Sequence, residues 1–204
     1  MNIIGYKKGG GGSHTPVEQT DNLHSTAYAR VLDLISEGEI VGPANGLQSI
    51  YLDETPLANP DGSLNFSGVS VDFRPGTQDQ EHIAGFPSVE NEIGVGIELT
   101  SKQPWIRAFS NLQLSAVRVR LSADGLSKAN TSNGDINGYR VEYAIDLSTD
   151  NGDYMTVLQT AFDGKTTSKY ERTHRIDLPR ATSGWSLRVR RLTANANSST
   201  TSDR

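Results

Sequence analysis

Side chains able to do chemistry occur throughout this sequence, but their spacing does not assemble them. The four histidines, at 14, 24, 82 and 174, include no i, i+4 pair, the interval that sets two imidazoles on one helix face for a metal. None of them sits in a His-Glu-x-x-His run. Serine is abundant, yet no Gly-x-Ser-x-Gly elbow occurs, and scattered Ser, His and Asp residues do not make a triad. Asp53 and Glu54 are paired carboxylates beside a turn, whereas acid–base work needs two carboxylates in unlike environments flanking a cleft. Asp146-Leu-Ser-Thr-Asp-Asn-Gly-Asp begins like a calcium loop, but Asn151 stands where glycine is required and Val157 where the bidentate glutamate belongs; a hairpin turn accounts for the run. Gly9-Gly10-Gly11-Gly12-Ser13 lacks the Lys-Ser/Thr that should follow a phosphate loop and the apolar strand that should precede it, and reads as a linker. No residue is assigned a catalytic, cofactor-binding or metal-binding role, no cofactor is expected, and the chain is read as a non-enzyme.

Arg188, Arg190 and Arg191, with Arg172, Arg175 and Arg180 nearby, form the one basic concentration. Alternation in Trp185-Ser-Leu-Arg-Val-Arg puts Arg188 and Arg190 on the outer face of a strand, as solvated charges that guard a sheet. A formal net charge of −5 and a pI near 5.4 argue against a broad basic face for nucleic acid. Trp105, Tyr139, Tyr143 and Trp185 could build a sugar-stacking platform, although aromatics at alternating strand positions are more often core. With no cysteine, disulfides, thiolate zinc sites, iron–sulfur ligation and cysteine nucleophiles are excluded together. No stretch approaches the roughly 20 apolar residues that span a bilayer, and Lys7 and Lys8 followed by glycines do not make an apolar signal core, so no membrane insertion is expected.

The elements that must position these residues are mainly β. A chain of 204 residues, 35% hydrophobic and 21% charged, can bury a core. Residues 1–20 read as a flexible Gly-rich arm. Leu23, Ala27, Val31, Leu34 and Ile35 recur at intervals of mostly three and four, with Asp21 or Asn22 as N-cap and Gly38 as terminator, which predicts one amphipathic helix over about 22–37. Its apolar face needs a partner, and those five residues are the candidate assembly contacts. From Gly42-Pro43 onward the period becomes two. Leu64 and Phe66 alternate, and Val69, Val71 and Phe73 resume one residue out of phase after Ser67-Gly68, the pattern of a β-bulge. Residues 76–92 are polar and irregular. Further strands are predicted at 93–99, 105–109, 117–121, 139–147, 154–162, 173–178 and 185–192, with a hairpin turn at Asn151-Gly152.

The segments Ser13-His-Thr-Pro-Val-Glu-Gln-Thr-Asp-Asn-Leu-His-Ser-Thr, Ile35-Ser-Glu-Gly-Glu-Ile-Val-Gly-Pro and Gly46-Leu-Gln-Ser-Ile-Tyr-Leu-Asp-Glu-Thr-Pro-Leu resemble the beginning of the tail-tip host-specificity protein J family of lambda-like phages. The likeness continues through Phe66-Ser-Gly-Val-Ser-Val-Asp-Phe-Arg-Pro-Gly and Gly164-Lys-Thr-Thr-Ser-Lys-Tyr to Leu187-Arg-Val-Arg-Arg-Leu-Thr, and is weakest at residues 77–135. It implies a subunit of a trimeric hub at the end of a long flexible tail, made in the bacterial host cytoplasm and located at the virion tail tip. It also implies that the helix and the segment that follows, over 21–90, begin a hub β domain and that 91–194 form a fibronectin-III-like β-sandwich, between the flexible arm over 1–20 and a polar tail over 195–204 whose Asn, Ser and Thr predict disorder.

The expected function is structural: the amino-terminal part of a tail-tip hub and host-attachment protein, acting by protein–protein assembly. Its partners would be other tail-tip proteins and copies of itself, with no nucleic acid. Members of the family are several times longer than this chain, so contact with the host receptor is expected only through a carboxy-terminal region missing here. Two other readings share these residues: a free carbohydrate-binding sandwich, suggested by Trp105 and Trp185, and a truncated prophage remnant unable to assemble.

Overall fold

The computed structural model describes residues 14–83, 85, 86 and 90–204, so the glycine run at 9–12 lies outside the described residues. The chain divides into two compact units, Tyr28–Gly94 and Val95–Arg204, the latter joined by the residues that precede Tyr28.

Within Tyr28–Gly94 regular structure is sparse. A short 3₁₀ turn, Gly46–Ser49, leads into a two-residue hairpin of β1 (Tyr51–Leu52) and β2 (Thr55–Pro56). Its turn residues Asp53 and Glu54 both have positive φ, 46° and 67°, the pairing a type I′ turn requires; the carboxylates therefore serve a tight hairpin. Among the described residues of this unit Leu57 and Ala58 are buried, and an isolated bridge joins Ala58 to Leu64. The strand expected through Val69, Val71 and Phe73 does not form, because no neighbouring chain accepts its backbone hydrogen bonds.

The second unit is a β-sandwich. The remaining strands are β3 (Trp105–Phe109), β4 (Ala116–Ala123), β5 (Leu126–Ala129), β6 (Ile136–Asn137), β7 (Tyr139–Thr149), β8 (Met155–Gly164), β9 (Tyr170–Asp177), β10 (Trp185–Arg191) and β11 (Thr201–Asp203). They pair as a four-stranded sheet β3-β10-β7-β8, a β4-β9 pair and a three-stranded sheet β11-β5-β6. Every pairing between these strands is antiparallel. The expected strand at 93–99 is absent, and Ile93, Val95 and Ile97 are exposed.

Alternation builds the core. In β10, Trp185, Leu187, Val189 and Arg191 are buried while Ser186, Arg188 and Arg190 are half-buried on the other face. One apolar cluster joins Ile145, Leu147, Trp185, Leu187 and Val189 of the large sheet to Ile176 of β9, so the β4-β9 pair packs face to face on the large sheet. A second cluster gathers Ala123, Leu126, Val141, Tyr143, Phe162 and Tyr170. There the Tyr143 and Phe162 rings meet edge to face at 5.2 Å, and Phe162 and Tyr170 at 5.1 Å. Full burial of each Leu or Val in these clusters contributes about 1.5–3 kcal/mol.

The arginines of β10 are not free surface charges. Arg188 Nε and Arg190 Nε donate to Asp146 Oδ2 at 2.8 and 2.6 Å, and Arg190 also donates to Oδ1 at 2.9 Å. Asp146 itself is fully buried and also accepts the Thr156 hydroxyl at 2.7 Å. The guanidinium of Arg190, followed by Thr156 and Arg188, outweighs burial and holds this carboxyl well below the ordinary range. The sequence placed Arg188 and Arg190 correctly on the outer face; what it missed is that they cap a buried charge there.

The expectation of a disordered tail over 195–204 is also corrected. Thr201–Asp203 pairs with β5, and the buried Asp203 carboxylate engages the buried guanidinium of Arg191 and accepts the Ala196 amide at 2.9 Å. A run rich in Ser, Thr and Asn lacks apolar residues for a core, but an ion pair and one strand edge order it. Asp203→Ala should therefore leave a buried cation without its counter-ion, lowering unfolding free energy by about 3–5 kcal/mol in urea titration. A loss below about 1 kcal/mol would show that the terminal strand contributes little.

Candidate assembly surface

Ahead of the sandwich, residues 14–25 form a strap held on its surface by polar contacts. Glu18 makes a parallel bridge with Ile136, with Gln19 N donating to Ile136 O at 2.8 Å and Ile136 N to Val17 O at 3.0 Å. Asp135 accepts the Val17 amide at 2.8 Å and pairs with His14 Nε2 at 2.7 Å; the Gln19 side-chain oxygen accepts the Gly138 amide at 2.9 Å. Further along, Lys165 O accepts the amides of Asn22 and Leu23 at 3.0 and 3.1 Å, and Asn22 Oδ1 accepts the Lys165 amide at 2.7 Å. Ser25 Oγ accepts the Glu171 amide at 2.8 Å.

At the centre stands the Lys165 ammonium, its side chain 3% exposed, which donates to Asp21 Oδ1 at 2.6 Å and Glu18 Oε1 at 2.8 Å. The other Asp21 oxygen accepts the Thr167 hydroxyl at 2.6 Å and amide at 2.8 Å. The Lys165 ammonium, then the Thr167 hydroxyl and amide, hold the Asp21 carboxyl well below its ordinary value, and Asp21 with Glu18 raises the Lys165 ammonium. Gly164 makes room for the strap. Its φ is +149°, and a Cβ there would run into the Asn22 side-chain oxygen and lie 2.9 Å from Leu23 Cγ.

The helix expected over 22–37 is not present: these residues have no regular structure, with a bend at 37–38. Two physical causes are visible. Asp21 and Asn22, the expected N-caps, spend their oxygens on the amides of Thr167 and Lys165. A helix of about this length is marginal in water unless its apolar face is packed, and this face is uncovered. Of the five candidate contacts, Leu23 packs against the cluster containing Leu126 and Phe162 and belongs to the sandwich unit. Ala27 is exposed. Val31 (76%), Leu34 (89%) and Ile35 (68%) are exposed in the Tyr28–Gly94 unit, as are Tyr28 and Leu32, which lie off the predicted stripe. The five were thus read as one stripe, but the chain uses Leu23 to anchor and displays the rest.

The chemistry candidates stay apart. His14 serves Asp135, while His24 and His82 are exposed. His174 meets the Tyr143 hydroxyl at 2.7 Å, and burial, then Arg172, pushes its pKa down. Asp150, φ +53°, and Asn151, φ +61°, form the hairpin turn one residue earlier than the Asn-Gly pair suggested. The Asp150 carboxylate accepts the amides of Thr182, Ser183 and Gly184, the Ser183 amide foremost, which pulls its pKa to about 2. Trp185 is buried with its indole N–H on Pro179 O, and the half-buried Trp105 packs against the same cluster, so the two indoles serve the core.

Two outcomes test the strap. The folded pKa of Asp21 lies below its ordinary 3.8, so its contribution is complete above about pH 4 and is lost as pH falls toward the folded value; protection factors at Gln19, Asn22 and Leu23, corrected for the intrinsic exchange rate at each pH, should fall below pH 4 ahead of those in β7 and β10. Gly164→Val should release the same three amides at neutral pH while Ile145 and Val189 stay protected, and unchanged protection of Leu23 would refute the role given to Gly164.

Residues 89–204 match a family described as the FNIII-A domain of tip attachment protein J. Over 200 residues the chain is 45% identical to the tip attachment protein J of Escherichia phage SECphi4, and over 202 residues 40% identical to that of Escherichia phage SECphi27. The alignments cover 96% and 99% of this chain but 17% of each relative, so the chain spans about a sixth of the length of these curated relatives. A sandwich matched over more than half of the chain, continued by a likeness that also takes in the strap and the Tyr28–Gly94 unit, makes this chain a member of the tip attachment protein J family.

Proposed function

We propose that this chain is the amino-terminal portion of a phage tail-tip structural protein and works by protein–protein assembly rather than catalysis. The observation that carries the reading is the apolar run of Tyr28, Val31, Leu32, Leu34 and Ile35, each more than half exposed, that follows directly on a strap fixed to the sandwich. Uncovered apolar side chains of this kind mark an interaction site, and anchoring at Leu23 lowers the entropy lost when the next residues dock. The partners in this reading are other tail-tip proteins and further copies of the same subunit. The three-and-four spacing of the run suits a helix that forms when laid in a partner groove, which supplies the packing that water does not. Contact with the host receptor would belong to other regions of the longer family protein.

Val31→Asp combined with Leu34→Asp should leave the sandwich's thermal transition within about 1 °C, because both side chains are exposed. Tails assembled with that variant should lack the tip protein and be non-infectious in a complementation assay. Normal incorporation of the double variant would overturn the proposal.

A further inference from the structure

The Tyr28–Gly94 unit carries a second open surface, separate from the apolar run. Leu64 and Phe66, then Val69, Val71 and Phe73, have the alternation and β-branched composition of strands, yet among the described residues no strand pairing involves residues 66–73. Leu64, Val69 and Val71 are exposed at 59, 39 and 42%. Among the described residues the backbone–backbone hydrogen bonds that hold the stretch lie at its ends, where Asn65 N donates to Leu57 O at 3.0 Å and Ile40 N donates to Pro75 O at 2.8 Å; the half-buried Phe73 ring also lies beside Gly42. Leu57 and Ala58 are the only described residues of the unit that are buried, far fewer than a domain of this size needs to be stable alone.

We infer that residues 66–73 are a strand awaiting its neighbour, and that the neighbour is supplied by the family protein's own continuation beyond the region matched here. The matched region is 17% of each relative, which leaves most of such a chain available as the donor. A donor on the same chain acts at an effective concentration near millimolar, without waiting for another subunit. It would also cover the edge before the newly made protein could pair edge to edge with other copies. The surface goes beyond the assembly reading, since it concerns completion of the subunit and not its docking.

The test compares amide exchange in the 204 residues alone with the same residues grafted in place of the matched region of the SECphi4 relative, both kept monomeric by dilution. Amides of 69–73 should exchange about tenfold or more slowly in the graft. Because strand amides alternate in direction, Ser70→Pro and Val71→Pro are both made: one should abolish that protection in the graft, and neither should shift the melting of the 204 residues. If the graft misfolds, intact SECphi4 protein against its own matched fragment decides. Equal exchange in the short and long proteins overturns the inference, as does protection of the 204 residues that appears only as their concentration rises, which would make a second copy the donor. Tail incorporation of the Val31→Asp, Leu34→Asp variant is read separately, so either proposal can fail without the other.

Discussion

The buried ammonium of Lys165 is the constraint around which the amino-terminal strap is arranged. A cation so little exposed is costly unless its protons find charged acceptors, and the acceptors here, Asp21 and Glu18, come from a segment more than 140 residues away in sequence. That pairing fixes where the strap lies, and the backbone exchange between Lys165, Asn22 and Leu23 fixes its register. Gly164 and Gly138 supply the close approach: a Cβ on Gly138 would fall within 2.6 Å of the Gly164 carbonyl carbon.

Inside the sandwich the same rule recurs. Asp146 and Arg191 are charges within a sheet, and each is buried only where its partner is fixed by strand register: Arg188 lies opposite Asp146 across the β7–β10 ladder, and β11 brings Asp203 to Arg191. A one-residue slip would turn each of these charges to the wrong face, so the ion pairs penalise misregister that the apolar clusters alone would tolerate. Arg188 also lies 4.1 Å over the Tyr154 ring, which stiffens the side chain that covers Asp146.

The two units differ in how far their own residues satisfy them. Described residues of the sandwich include no buried side-chain polar atom without a hydrogen-bond partner, and its apolar side chains form two clusters. The Tyr28–Gly94 unit has short turns, one minimal hairpin and many exposed apolar residues. The Tyr28–Gly94 unit keeps uncovered the kind of apolar surface that the sandwich has spent on its core, and such surface is a free-energy source for association.

Much of the sandwich was legible in the sequence because alternation marks a sheet face: residues 139–147 and 185–192 read directly as strands, and Val141, Tyr143, Ile145, Leu147, Trp185, Leu187 and Val189 lie in the observed core, although Ala144 and Asp146, expected on the outer face, are buried as well. The likeness to the tip attachment protein J family was carried by irregular loop residues whose order no periodicity requires. Tertiary structure alone decided the rest. Leu23 to Ile35 has helical spacing, but spacing does not say whether a surface exists to pack against, and Asp21 and Asn22 look like helix caps until Lys165 and Thr167 claim them. Likewise Asp203 looks like part of a polar tail until Arg191 is placed beside it. Periodicity is a local property and is written in the chain; the counter-ion of a buried charge is a distant residue, and only the folded structure names it.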